Sequence, residues 1–223
     1  MKDAKQTPDP AGRRPRKRQR TASHLAAVAF GLFEEYGYEA VTMEQVAAAA
    51  NVAKATLYSH FPMKEALVAH RLKDEIVEGM AALAGRLAAH RSFASRMRFL
   101  LRESAAWHMA KRDYLPHYLR YLHSIADSVA GEAIRDAGST TTLNALAAMF
   151  HAAQQSGEVA RTFPAEKLAW SLQYLLYGAV THWLFHPEAD LTRAFLQAFA
   201  LLMDGAAADK PASARKTGTG RNR

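Results

Sequence analysis

Cysteine is absent from this 223-residue chain, which excludes disulfide scaffolds, thiolate zinc sites, iron–sulfur clusters and a cysteine nucleophile together. Charge is modest at 22% against 49% hydrophobic residues, a balance that excludes wholesale disorder and leaves ample apolar surface for a core. The opening stretch MKDAKQTPDPAGRRPRKRQR has no apolar run, so no secretory signal is expected and a cytoplasmic location is. Enzyme signatures are missing too: there is no GxxxxGKS/T, GxSxG, HExxH or GxGxxG, and no Glu-x-x-His pair of the di-iron kind. The reading is therefore a protein that is not an enzyme and needs no cofactor.

What the chain does have is a net charge of +8, and its two ends supply more than the whole of that excess. Residues 1–20 hold eight Lys/Arg against two Asp, and residues 205–223 hold five against one, so the body between them is close to neutral. Both ends are rich in Pro, Gly, Ala, Ser and Thr, which cannot build a core. They read as a flexible basic arm (1–20) and a disordered basic tail (205–223), suited to a polyanion.

The body reads as all α. Leu25, Val28, Ala29, Leu32, Phe33 and Tyr36 form one helical stripe, and Gly37 follows where a left-handed C-terminal cap belongs. Thr42-Met43-Glu44-Gln45 is a capping box, with Val41 and Val46 spaced as a hydrophobic staple. A short helix then runs to about Ala50, another from Ala53 to His60, and a longer one from Met63 after the break at Phe61-Pro62. Further breaks are expected near His90–Ser92, Asp113–Pro116, Gly138–Ser139 and Ser156–Pro164.

The last two helices stand apart. From Leu168 to Pro187 the chain carries no Asp, Glu, Lys or Arg. Leu168, Leu172, Leu175, Leu176, Ala179 and Trp183 form one stripe there, with Trp170, Tyr174, Tyr177 and Thr181 on the other side. Ser171, Gln173, Thr181, His182 and His186 interrupt the segment and no basic cluster follows it, so burial between protein surfaces is expected rather than a membrane span. The final helix starts at Asp190 and carries Leu191, Phe195, Phe199 and Leu202 on one face. Two such helices suffice to meet their copies in a second chain, giving a homodimer interface at Leu168, Leu172, Leu175, Leu176, Ala179, Trp183, Phe195, Phe199 and Leu202.

Function is concentrated in residues 25–67: an amphipathic helix, a capped short helix, a tight turn at Ala50-Asn51-Val52 and an eight-residue helix. A helix-turn-helix needs small residues where its short helices cross, and Ala47, Ala48, Ala49 and Ala50 supply them. Val46, Val52 and Leu57 close the core beneath, which leaves Lys54, Ala55, Thr56, Tyr58, Ser59 and His60 facing outward, able to reach phosphates and base edges.

The stretch LAAVAFGLFEEYGYEAVTMEQVAAAANVAKATLYSHFPMKEALV resembles the DNA-binding domain of the tetracycline-repressor (TetR) family. Its most specific part is Thr56-Leu57-Tyr58-Ser59-His60-Phe61-Pro62 followed by Lys64-Glu65. The resemblance implies that Thr42 opens the second helix and that Thr56, Tyr58 and Lys64 contact phosphates. It also implies that Lys54, Ala55, Ser59 and His60 face bases or the adjoining backbone, that the chain is a homodimer, and that its C-terminal helices hold a small-molecule effector. The sequence departs from the family pattern at Ala53, Ala55 and Met63, where helix caps or a glycine are usual.

Residues 21–66 carry a net charge of −3, so Arg16, Lys17, Arg18 and Arg20 just upstream are expected to supply much of the attraction to DNA, in a minor groove. The candidate effector pocket, apolar or aromatic in character, comprises Trp107, His108, Tyr118, Tyr121, Phe150, His151, Gln154, Trp170 and Tyr174. His182 and His186 stand four apart, but no third ligand is near in sequence, so no metal site is expected.

The fold expected is thus an N-terminal three-helix helix-turn-helix domain (21–66, the motif at 42–61) followed by a larger helical effector and dimerisation domain (67–204). The function expected is a homodimeric repressor of a palindromic operator in double-stranded DNA. Two alternatives remain open: a nucleoid-type protein that binds DNA without sequence preference, and a membrane-associated helical protein built on residues 168–187.

Overall fold

The computed structural model describes residues 10–124 and 129–205, which form nine α-helices and no strand. Residues 1–9 of the expected arm and 206–223 of the expected tail lie outside the described residues. Among the described residues no helix is long and apolar enough to cross a membrane.

Helix α1 (Pro10–Tyr36) buries Leu25, Ala26, Ala29, Phe30 and Phe33 along one stripe and stops at Gly37, whose φ of 83° is open to glycine and strained for other residues. Its start differs from expectation. Residues 10–20 continue α1 as helix, through Pro15, where a flexible arm was expected. Arg, Lys, Gln and Ala are all good helix formers, and their charge had masked that propensity. Helix α2 (Met43–Ala49) opens on a complete capping box. The Gln45 amide donates to Thr42 Oγ1 (3.2 Å), and the Thr42 amide donates to Gln45 Oε1 (2.7 Å). Asn51 makes the turn in the left-handed region (φ 52°), one of the few residue types that tolerates it. Helix α3 (Lys54–His60) follows, with Leu57 fully buried beneath it.

Helix α4 (Lys64–Ala88) links the two halves of the chain. It packs on α1 and is braced to α5 (Phe93–Ala110) by Arg86–Glu103 at 3.0 Å and Lys111–Glu75 at 2.9 Å. Helices α6 (Leu115–Ser124), α7 (Val129–Gln155), α8 (Ala165–Phe185) and α9 (Leu191–Asp204) complete the C-terminal half. There α7 packs mainly on α8, α8 on α9, and α9 on α5. The break expected at Gly138–Ser139 does not occur, because α7 runs through it. Glycine within a helix costs about 1 kcal/mol relative to alanine, which neighbouring turns can absorb. Asp190 caps α9 as expected, accepting from the Arg193 amide at 2.9 Å. One continuous set of buried apolar side chains runs from Leu25 in α1 to Phe199 in α9.

Candidate nucleic-acid interface

Helices α2 and α3 form a small, rigid unit because their contact is built from minimal side chains over a few fully buried ones. Val46 and Leu57 are 0% exposed and Ala47 is 2% exposed, while the Val52 amide donates to the Ala47 carbonyl at 3.0 Å. That seating turns the other face of α3 outward. Lys54, Ala55, Thr56, Tyr58 and Ser59 are exposed and His60 is half-buried. No side chain caps α3, since Ala53 occupies the cap position with extended backbone. The same holds at Met63 before α4.

Several of these side chains already have partners. Lys54 Nζ lies 3.5 Å from Glu44 Oε1, with both side chains well exposed, a pairing weak enough to be exchanged for a phosphate. Ser59 Oγ donates to the Thr56 carbonyl (2.7 Å), which leaves its oxygen free to accept. Thr42 Oγ1 accepts from Gln45, which leaves its hydroxyl hydrogen free to donate. Lys64 departs from expectation. Its ammonium donates to the Tyr38 carbonyl (2.6 Å) and the Val41 carbonyl (2.9 Å) and lies 4.1 Å from the Tyr38 ring centroid. In this conformation Lys64 ties down the α1–α2 turn, and its expected phosphate contact is occupied by backbone carbonyls.

The basic segment is fixed relative to α3. Arg16, Lys17, Arg18 and Arg20 are exposed on the helical start of α1, and Arg18 Nη2 donates to the Ser59 carbonyl at 3.4 Å, in the last turn of α3. A cation at a helix C-terminus is favourable there. Burial, and then the Arg18 guanidinium, lower the pKa of His60, which favours the neutral imidazole. Behind α3, Ser23 Oγ donates to Asp74 Oδ2 (2.7 Å) and lies 3.3 Å from His70 Nε2, tying α1 to α4. Sequence reading missed the Arg18 and Lys64 contacts because both partners are backbone carbonyls distant in sequence.

The nine residues expected to line an effector pocket separate into two groups. Trp107, His108, Tyr118 and Tyr121 are partly to deeply buried on α5 and α6. His108 Nδ1 is 2.7 Å from the Ser104 carbonyl, and burial lowers its pKa against that contact. Burial likewise raises the pKa values of Tyr118 and Tyr121. Trp107 Nε1 is buried without a hydrogen-bond acceptor among the described residues. The other five are set differently. Phe150 is a packed core ring 5.1 Å from Phe93. Gln154 Nε2 donates to the Ala160 and Phe163 carbonyls (3.0 and 2.8 Å), closing the α7–α8 loop. His151 is exposed and bonded to Gln155, while Trp170 and Tyr174 are 43% and 66% exposed. None of the nine lines the open cleft of about 210 Å³ between α5 and α9, which is bounded by Phe93, Arg98, Glu158, Phe199 and Met203.

The nine residues expected at the dimer face divide by burial. Leu172, Leu176, Trp183, Phe195 and Phe199 are buried inside the chain, and Leu168, Leu175, Ala179 and Leu202 are partly covered by it. The exposed apolar side of α8 is the opposite stripe. Trp170, Tyr174, Tyr177, Thr181 and Phe185 fall at offsets 0, 4, 7, 11 and 15, and Phe185 is 79% exposed. A helix apolar all round has two candidate faces, and periodicity cannot say which one turns inward.

Residues 25–70 match the family model of bacterial regulatory proteins, tetR family. A curated relative, the HTH-type transcriptional regulator TcmR of Streptomyces glaucescens, is 44% identical over 59 residues. That match covers 26% of this chain and 26% of TcmR, about a quarter of each. Among solved structures, the fold resembles FadR of Thermus thermophilus, a TetR family transcriptional repressor in complex with lauroyl-CoA. The likeness has a TM-score of 0.71 at 21% identity and covers 86% of this chain and 99% of FadR. FadR of Bacillus subtilis in complex with stearoyl-CoA is similar at a TM-score of 0.63 and 16% identity, over 82% and 98% of the two chains. Family match and relative agree on residues 25–70 as a segment of the tetR type, and the fold of the described chain resembles that of the two FadR structures.

Proposed function

We propose that the protein is a homodimeric transcriptional repressor that binds a palindromic operator through α3 and leaves it when a small molecule occupies the C-terminal helices. The observation that carries this reading is the capped, small-residue α2–α3 unit, which holds Lys54, Thr56, Tyr58, Ser59 and His60 outward over a fully buried Leu57. Ala55 adds a methyl on the same face, and Thr42 offers a hydroxyl at the α2 N-terminus. The cations at the start of α1 add sequence-independent attraction to phosphates.

Dimerisation is assigned to the exposed stripe of α8, Trp170, Tyr174, Tyr177 and Phe185, with Leu201 of α9 also exposed. An aromatic stripe of this length in water is what a helical partner covers. A two-fold dimer sets its recognition helices about 34–36 Å apart, one turn of B-DNA or a multiple of it. The effector is an apolar or aromatic small molecule held between α5, α6 and their neighbours. Trp107 Nε1 and Gln173 Oε1, both buried without partners among the described residues, are the polar points it can satisfy. The acyl-CoA ligands of the two FadR structures make an acyl chain one chemistry to test. Because coupling is reciprocal, the effector weakens DNA binding by the same factor by which DNA weakens effector binding.

Selection of genomic DNA fragments by the purified protein at physiological salt tests the reading. Enrichment of one palindromic site is the expected result. Uniform recovery of all fragments would leave only charge-driven binding, and the repressor reading would fail.

A further inference from the structure

Helix α6 reaches the DNA-binding half of the chain at four places. The Tyr114 ring, just before α6, lies 4.8 Å from Phe30 of α1. Arg120 Nη1 is 3.4 Å from Glu65 Oε1 in the first turn of α4, and Ser124 Oγ is 3.8 Å from Met63 Sδ just before it. The fourth contact is different in kind. The His117 ring stacks on the Tyr38 ring with centroids 3.7 Å apart and planes 26° from parallel. Tyr38 belongs to the turn between α1 and α2.

An imidazole so close covers one face of the Tyr38 ring, which leaves the Lys64 ammonium, 4.1 Å from the same centroid, on the other face. Lys64 in turn holds the Tyr38 and Val41 carbonyls, the last turn of backbone before α2. His117, Tyr38, Lys64 and the start of α2 are therefore one column of contacts from the C-terminal half to the helix-turn-helix.

Two features suit this column to transmit movement as well as fill space. Tyr38 Oη and His117 Nδ1 are buried with no hydrogen-bond partner among the described residues. The stack is thus held by ring overlap, and sliding it breaks no hydrogen bond. The imidazole also favours its neutral form. Burial lowers its pKa most, Arg120 and Lys64 lower it further, and Glu39 and Glu65 oppose them. A neutral ring lies against Tyr38 without repelling the ammonium beyond it.

We infer that His117 is a positioning residue: by stacking on Tyr38 it sets the seat of Lys64 and the α1–α2 turn, so that the position of α6 governs how α2 and α3 are presented. The inference rests on the reading of α3 as the DNA-contacting helix.

Hydrogen exchange of the full chain, with and without the DNA duplex recovered by fragment selection, tests both and tells them apart. In the wild-type protein the duplex slows exchange in α3 and changes it in residues 115–124. In His117→Ala, α3 remains protected by the duplex while the change in 115–124 is lost. His117→Phe, which keeps a flat ring on Tyr38, retains the change. Tyr38→Leu removes the same stack from the other side, shows the same loss, and serves if His117→Ala fails to fold. An unaltered response of 115–124 in both His117→Ala and Tyr38→Leu overturns the inference, as does protection of α3 in the wild type with no response in α6. Absence of protection in α3 itself overturns the DNA-binding reading and the inference with it.

Discussion

Helices α3 and α8 present two ways of exposing a face. Helix α3 is seven residues long, with one fully buried side chain, Leu57, and nearly everything else turned outward. Helix α8 is 21 residues long, with a buried stripe through Leu172, Leu176 and Trp183 and an exposed aromatic stripe through Trp170, Tyr174 and Phe185. In α3 the contrast of polar and apolar residues states which side faces solvent. In α8 both sides are apolar, and only packing against α7 and α9 decides. A polar face on a rigid, capped element can be assigned from residue type; an apolar face needs its neighbours.

The sharpest way to break this contrast is on α8 itself. Leu172→Ala, at a fully buried position, is expected to lower stability by about 2–5 kcal/mol in denaturant unfolding. Tyr174→Glu, on the exposed stripe, is expected to leave the fold intact and abolish the dimer in sedimentation equilibrium. If the two effects were exchanged, the interface would lie on the stripe first expected from the sequence.

The arm of α1 gives the next largest effect. Replacing Arg16, Lys17 and Arg20 with Gln should weaken DNA binding and lower the slope of log affinity against log salt by up to about one unit for each lost phosphate contact. An unchanged slope would place these cations away from the DNA.

Capping supplies a smaller pair of effects with opposite signs. Thr42→Ala removes the side-chain half of the capping box, leaving only the backbone amide of residue 42 to donate to Gln45, and should cost about 1 kcal/mol in thermal unfolding. Ala53→Ser supplies the cap that α3 lacks and should raise the melting temperature modestly.

These positions also show how much the sequence disclosed. Thr42 with Gln45, Gly37, Asp190 and the alternation around Leu57 are local signals: a cap, a left-handed turn or a buried position is encoded within four residues of itself. The outward set on α3 was legible for the same reason. Three things were not. The helical start of α1 hid behind its charge. The continuity of α7 across Gly138–Ser139 hid because glycine weakens a helix without ending it. The inward face of α8, and with it the true settings of Trp170, Tyr174 and Trp183, depended on partners far away in sequence. The Lys64 and Arg18 contacts belong with these, since each is made to a carbonyl more than twenty residues away.

The smallest effect expected is at Tyr38. Its hydroxyl is buried without a partner among the described residues, so Tyr38→Phe keeps the stack on His117 and should leave the melting temperature unchanged or slightly raised. A loss of more than about 1 kcal/mol would mean that the hydroxyl has a partner in solution.

The central claim is that α3 reads DNA sequence as part of a dimer. The most direct test is the ratio of affinities for the selected palindromic duplex and a scrambled duplex of equal length at physiological salt. The account predicts a preference of about 10³ or more, falling steeply in Lys54→Ala combined with His60→Ala. Equal affinity for the two duplexes, or a ratio untouched by those substitutions, would contradict it.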